Sequence, residues 1–390
     1  MPRLSILVYS VLTLSGCGER DSPKQPEEAL TPPTVRAQLP FLRPVNVEVL
    51  AVSGPNDAGQ PTIAVSSSGL IGIVSSGSED GFMVHLIDTL GVTRAAFGRR
   101  GQGPGELMTV GTLFLASDRV YLYDIANRRF TTFDLQGNLV DTEQDARLLL
   151  PFAVHGDSVD HLETDGASYW VVRNRLSGKG RTVIDWRDSV YQAVFLAPSV
   201  SPPDDQTKAM PPARASTPTG FVLGNGHTYR MYRYDAQGRF IDSFGRRDAP
   251  ETRMSPARVE SQMRSLARYR GPDGKLMDPV WLAEQRKDME QKVLPFFPQN
   301  RSLGFDGAGR LWVVGAIADS VFADIFADTL FLGRLAIGCP DFQQNWALGG
   351  AWLGLVCGAP EESDRSAEVR LFEVLEGEET LDSKEHQSTK

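Results

Sequence analysis

The chain has 390 residues, 41% of them hydrophobic, which is enough apolar material for a sizeable core and excludes a wholly disordered chain. Its net charge of -9 gives no reason to expect nucleic-acid binding, which calls for a basic domain. The 37 glycines and 25 prolines suit many short strands joined by turns.

The N-terminus carries one positive charge, Arg3, ahead of an apolar stretch from Leu4 to Leu14 that is broken only by Ser5, Ser10 and Thr13. Its 11 residues fall short of the ~20 that cross a bilayer but fit the apolar region of a signal peptide. The stretch ends in Leu14-Ser15-Gly16-Cys17, which resembles the bacterial lipobox. The resemblance implies a signal peptide over 1–16, a lipidated Cys17 as first mature residue, and a cell-envelope protein held to the membrane by its acyl chains. Gly18 rather than Asp follows the cysteine, so in a cell with two membranes the expected destination is the outer one. Residues 17–42 are polar and rich in proline (Pro23, Pro26, Pro32, Pro33) and read as a flexible tether. The folded domain is expected from Arg43, where Val45, Val47 and Val49 alternate as in a strand.

The remainder of the chain repeats itself. Phe133-Asp134-Leu135-Gln136-Gly137 and Tyr234-Asp235-Ala236-Gln237-Gly238 share one pattern, with a degenerate copy at Ile87-Asp88-Thr89-Leu90-Gly91. The Asp opens a turn through its side chain and the Gly takes the positive φ that the turn needs, so each copy predicts a hairpin. A second hairpin of the unit is predicted from the matching layouts of Ile63–Ile73 and Leu303–Val314. Asp88 and Asp134 are 46 residues apart, Asp134 and Asp235 are 101 apart, and Val65 and Phe305 are 240 apart. All three fit a period of roughly 48, in the range of four-stranded propeller blades.

Residues 251–298 break the pattern. Ser255-Pro256 starts one predicted helix with Val259, Met263 and Leu266 on a common face, and Asp278-Pro279 starts another carrying Leu282, Met289 and Val293. With this insertion removed, the residues from 43 to 376 have room for six repeats, leaving a charged, disordered tail over 377–390. The expectation is an all-β, six-bladed β-propeller with a helical insertion between late blades.

Gly98-Arg99-Arg100-Gly101-Gln102-Gly103-Pro104-Gly105-Glu106 invites comparison with a phosphate loop. No Lys-Ser/Thr follows, a proline sits inside, and the downstream Tyr121, Tyr123 and Phe130 belong to strands, so nucleotide binding is rejected. The stretch from Phe97 to Leu107, followed by Asp124-x-x-Asn127-x-Arg129 and Phe133-Asp134-x-x-Gly137, resembles NHL-type repeats. It is most similar to the six-bladed β-propeller lipoproteins of bacterial envelopes, best over about 85–140 and more weakly at 221–247 and 300–315. Residues 150–200 lack the Gly-Pro-Gly joint, which leaves the register of that blade open. The resemblance implies the fold and a binding or scaffolding role, not a reaction. The glycines are expected to form a joint between blades through unusual φ, Asp124 and Asn127 to flank a turn, and Arg129 to pair with a carboxylate.

No catalytic residue and no metal ligand can be assigned, and no cofactor is expected. The five histidines form no His-Glu-x-x-His, and no Gly-x-Ser-x-Gly elbow is present. His155, Asp157, Asp160, His161 and Glu163 form the one dense group of ligand-type residues and read as an exposed turn. The tryptophans at 170, 186, 281, 312, 346 and 352 are expected to pack between blades. Cys339 and Cys357 are 18 residues apart around Gly349-Gly350, so paired strands could join them in a disulfide; two buried free thiols are the alternative. Arg99, Arg100, Arg246 and Arg247 each follow a Phe-Gly, and are either solvated charges or a rim that recruits an anionic partner.

Three functions remain open. The first is a monomeric, lipid-anchored module that binds a protein or glycan through loops on one face. The second is a metal-dependent hydrolase or lyase that gathers ligands from several blades at the central channel. In the third, the helical insertion is the recognition element.

Overall fold

The computed structural model describes residues 39–45, 62–74, 81–144, 150–156, 158–164, 169–175, 181–184, 213–225, 229–246, 252–254, 256–268, 276–291, 293–294, 302–317, 320–339, 342, 345–358 and 367–376. The Asp-x-x-Gly segments form the hairpins their chemistry demands. Asp134 Oδ1 accepts from the amides of Gln136 and Asn138, and Gly137 follows at φ +85°. Asp88, Asp235 and Asp306 organise their turns in the same way, and Ser66 uses its hydroxyl to accept from Leu70 N. A side chain at position 137 would meet the Phe97 ring at 2.7 Å, so glycine there also lets two blades approach.

These hairpins stack into six four-stranded antiparallel sheets. Blade 1 holds β2 (Thr62–Val65), β3 (Ile71–Val74), β4 (Phe82–Ile87) and β5 (Thr93–Arg99). Blade 2 holds β6 (Val110–Leu115), β7 (Arg119–Asp124), β8 (Arg129–Asp134) and β9 (Leu139–Gln144). Blade 3, whose register the sequence left open, holds β10 (Leu150–His155), β11 (Ser158–Thr164), β12 (Tyr169–Arg175) and β13 (Arg181–Ile184). Blade 4 holds β14 (Ala213–Thr217), β15 (Gly220–Asn225), β16 (Arg230–Asp235) and β17 (Phe240–Gly245). Blade 5 holds β20 (Leu303–Phe305), β21 (Leu311–Ile317), β22 (Ser320–Ala327) and β23 (Leu330–Ile337).

Blade 6 closes the ring. It takes β24 (Trp346–Gly349), β25 (Trp352–Gly358) and β26 (Ala367–Leu375) from the end of the chain and its outermost strand, β1 (Phe41–Val45), from the beginning. Phe41 lies opposite Leu375 and Val45 opposite Leu371, with an Arg43–Glu373 ion pair between them. β1 therefore begins two residues ahead of the expected start at Arg43. The continuation through Val47 and Val49 lies outside the described residues.

The core is a ring rather than a centre. Each of the six blade interfaces has its own buried apolar cluster. Strand β21 shows why: Leu311 and Val313 pack toward blade 4, while Trp312 and Val314 pack toward blade 6. A strand covered on both faces is apolar at every position, and truncating such a side chain costs about 2–5 kcal/mol. Trp312 is fully buried, as expected, and donates its indole N–H to Asp306 at 2.8 Å.

Cys339 and Cys357 are joined in a disulfide, with Cα atoms 5.2 Å apart. They are not on paired strands. Cys357 lies in β25, opposite Glu368 of β26, whereas Cys339 lies in the link that leads from β23 into blade 6. The bond fastens that link to the second strand of the closing blade, and a loop of this length contributes about 3 kcal/mol.

Between blades 4 and 5 run α1 (Pro256–Arg268) and α2 (Pro279–Gln291), closed off by a ribbon of β18 (Thr252–Arg253) and β19 (Val293–Leu294). Val259 and Met263 of α1 are buried, and Asp278 caps α2 by accepting from Val280 N. Val293, expected on the second helix, sits in the ribbon instead, and α2 has no buried residue. Trp281 departs from the packing role expected of it, being 36% exposed. An ion pair between Glu260 and Arg286 links the two helices. No helix among the described residues is long and apolar enough to cross a membrane.

Candidate functional site in the central channel

The innermost strands β2, β6, β10, β14, β20 and β24 each pair on one side only. Their free edges surround a cavity of about 650 Å³, within the size range of small-molecule sites. Unpaired backbone N–H and C=O groups along such edges need water or a ligand as partner. Most side chains on the wall are apolar, among them Ile63, Val65, Leu113, Leu115 and Leu348.

A cluster of polar side chains lies where blade 3 meets blade 4. At the end of β10, the His155 Nε2 atom is 2.7 Å from the Ser216 hydroxyl of β14 and 3.4 Å from Asp160 Oδ2. Asp160, on β11, is fully buried and held by both Nε and Nη2 of Arg173 at 2.6 and 2.8 Å. Burial alone would raise the Asp160 carboxyl, but hydrogen bonds from Arg173 and His155 outweigh it and hold the group below the usual 3.8. Beside them, Arg214 is 5% exposed and its guanidinium carbon lies 5.3 Å from the centroid of the Phe152 ring.

Serine, histidine and aspartate here do not form a proton relay. A relay needs the carboxylate on one ring nitrogen and the hydroxyl on the other, whereas Nε2 faces both. Turning the ring over does not change this, because the flip exchanges Nε2 with a carbon.

Of the dense group at 155–163, then, His155 and Asp160 come together. They form a hydrogen-bonded pair at a blade interface, Asp160 buried and His155 partly so, rather than the exposed turn that was expected. His161 is fully buried one residue along the strand, while Asp157 and the side chain of Glu163 lie outside the described residues. No group of three His, Cys, Asp or Glu among the described residues is placed to hold a metal ion. Ser216, Arg214 and Arg173 carried no sequence signal. Ser216 is 61 residues from His155 and meets it only because two blades pack.

The glycine-rich stretch is a joint, as expected, linking β5 to β6. Gly98 and Gly105 take φ of +73° and +74°. Gly101 and Gly103 are needed for space instead: a side chain at 101 would collide with the Glu106 carboxylate, which accepts from Gly103 N at 2.7 Å. Asp124 and Asn127 flank the β7–β8 turn, with Asn127 N donating to Asp124 Oδ1. Arg129 does not pair with a carboxylate. It donates to the carbonyls of Gln102, Gly103 and Glu106, and so clamps the joint through its backbone.

The four rim arginines do not form one set. Arg246 has a side chain only 13% exposed; it lies over Phe331 and donates to Asp324 at 3.1 Å. Arg99, over the Phe82 ring, and Arg100 are exposed on the joint, and Arg247 lies outside the described residues. Asp324 is fully buried and is also bound by Arg334 at 2.6 and 2.8 Å and by the Tyr229 hydroxyl at 2.7 Å. Burial, and then the nearby Asp324 charge, push the Tyr229 phenol well above 10, so it stays protonated as a donor.

The architecture is thus a six-bladed β-propeller around a mixed apolar and polar channel. No protein-family model matches the sequence, and no curated protein matches it significantly. Among solved structures, it is similar to a member of the DUF4221 family from Bacteroides vulgatus, with a TM-score of 0.51, 8% identity, and coverage of 86% of this chain and 98% of that one. That likeness shows the fold alone. A protein described as exported from Bacteroides fragilis matches with a TM-score of 0.44, 10% identity, and coverage of 87% and 97%. An aldose sugar dehydrogenase from Streptomyces coelicolor matches with a TM-score of 0.43, 14% identity, and coverage of 88% and 100%.

Proposed function

We propose that this protein is a lipid-anchored binding module of the cell envelope, a propeller that holds a protein or glycan partner rather than transforming a substrate. The observation that carries this reading is the hydrogen-bond geometry of the Ser-His-Asp group found at the channel among the described residues. Both partners share a single ring nitrogen, an arrangement that fixes side chains in place and moves no proton between them. Asp324 and Asp124 support it, since each is consumed by contacts within or between blades. The lipobox supplies the anchor at Cys17, and Arg99 and Arg100 are the exposed charges through which an anionic partner surface is met.

The test uses the full chain expressed in a bacterium with a clickable palmitate analogue. Label is expected on the wild type and lost in Cys17→Ser; label retained in the variant would remove the anchor. Partner capture by crosslinking in the intact envelope is then compared with that of the double variant R99E/R100E. Reduced capture is expected, and unchanged capture would remove the arginine contact.

A further inference from the structure

The large apolar side chains left exposed among the described residues gather mainly at one end of the ring. In each blade the strands alternate in direction from innermost to outermost, and successive blades are joined in the same sense. All the outermost strands therefore start at the same end. Leu90 stands in the turn leading into β5 and is 78% exposed. Leu139 and Val140 open β9, and Ile241 is the second residue of β17. Leu330 opens β23 and Phe41 opens β1, and these too are exposed. Five blades thus carry an exposed apolar side chain where the outermost strand begins. In blade 3 the side chains of β13 lie outside the described residues. Beyond this rim, exposed apolar side chains occur in the β7–β8 turn and in the helical insertion.

A few residues farther along the same strands the exposed positions turn polar, at Arg94 in β5, Asp141 in β9 and Arg43 in β1. The apolar band in these blades is therefore confined to the end of the ring. Its members are spread over five blades and form no groove. A compact partner would meet one or two of them, whereas a flat apolar phase meets them all. The start of the domain lies at the same end, because β1 begins there with Phe41. Cys17 of the lipobox is 24 residues ahead of Phe41, a stretch that reaches no more than about 85 Å. A link of that length holds the domain at high effective concentration beside a membrane that carries Cys17.

We propose that this end of the propeller rests on the phospholipid leaflet that holds the anchor, with Leu90, Val140, Ile241, Leu330 and Phe41 entering the boundary between headgroups and acyl chains. The proposal rests on the lipid-anchor reading given above and adds an orientation to it. Shallow apolar contacts of this kind add to the hold of the acyl chains. The joint carrying Arg99 and Arg100 runs from the finish of β5 to the start of β6, so it lies at the other end of the ring and is left to the partner. The β7–β8 turn with Ile125 lies at that other end as well.

Photocrosslinking of the full chain in the intact bacterial envelope tests the orientation. The crosslinker p-benzoylphenylalanine replaces Leu90, Val140 or Ile241, one per variant. In a control it replaces Ile125, which is 52% exposed against 51% for Ile241. Phospholipid adducts on the peptides that carry the crosslinker are read by mass spectrometry. About 10-fold more adduct is expected at each rim position than at position 125. Equal adduct at the two ends overturns the proposal, as does crosslinking of the rim to a protein or to a second copy of the chain instead of lipid. Each variant is scored alone, so one that does not fold leaves two to decide. Palmitate labelling of the same variants separates the two readings. Label without rim adducts rejects the orientation alone, rim adducts without label reject the anchor and retain the contact, and absence of both rejects both.

Discussion

Two fully buried carboxylates, Asp324 and Asp160, solve the same problem in different surroundings. Both lie at the contact of two blades and both grip an arginine on the neighbouring strand through two nitrogens. Asp324 has further donors in Arg246 and Tyr229 and is sealed inside the blade 4–blade 5 interface. Asp160 has His155 on its remaining side, and His155 opens onto the channel. Buried charges are retained only when paired and hydrogen-bonded, so both knots are required by burial. The comparison teaches that the pairing is structural in each case, and that of the two it is the Asp160 knot that reaches the channel, through His155.

The largest effect is expected from Asp324→Asn. It leaves the side chains of Arg246 and Arg334, 13% and 28% exposed, without their counter-charge. The cost should be about 3–5 kcal/mol in urea unfolding; under 1 kcal/mol would break the picture of a sealed ionic knot. Asp160→Asn should cost less, about 2 kcal/mol, because Arg173 can turn toward solvent from its 20% exposure. Its pH signature is specific. The folded carboxyl titrates below the usual 3.8, so its contribution is complete above about pH 4 and is lost as pH falls through the lower folded value. Wild-type stability should fall across that acid window more steeply than that of Asp160→Asn, and parallel acid profiles would contradict the lowered value.

Tyr229→Phe isolates a single donor to Asp324. A loss of about 1 kcal/mol is expected by thermal unfolding, with the arginine pairs keeping the carboxylate satisfied. The smallest effect should come from His155→Gln, within about 0.5 kcal/mol, because an amide can still hydrogen-bond to Ser216. A loss as large as that of Asp160→Asn would show that the His155 contact, and not the Arg173 pair alone, holds the open knot together.

Much of the blade plan was legible because it is local. Asp134 and Gly137 specify a turn four residues long, and the copies at Asp88 and Asp235 repeat it at a spacing that, with the alternation of the strands, fits propeller blades. The joint at Gly98–Leu107 was legible for the same reason, although half of its glycines serve space rather than φ. Arg129 and Arg246 were misread because a charged side chain gives no sign of whether it will meet a carboxylate, a carbonyl or water. The disulfide partners could be named, but their placement on a link and a strand could not.

From the sequence alone came the repeat, the number of blades and the insertion, because turn chemistry and alternation act over a few residues. Only the tertiary structure decided that β1 completes blade 6, that Arg246 is spent on Asp324, and that His155, Ser216 and Arg214 meet at the channel. Those contacts join residues from tens to hundreds of positions apart, and no local preference encodes which strand edges come together when the ring closes.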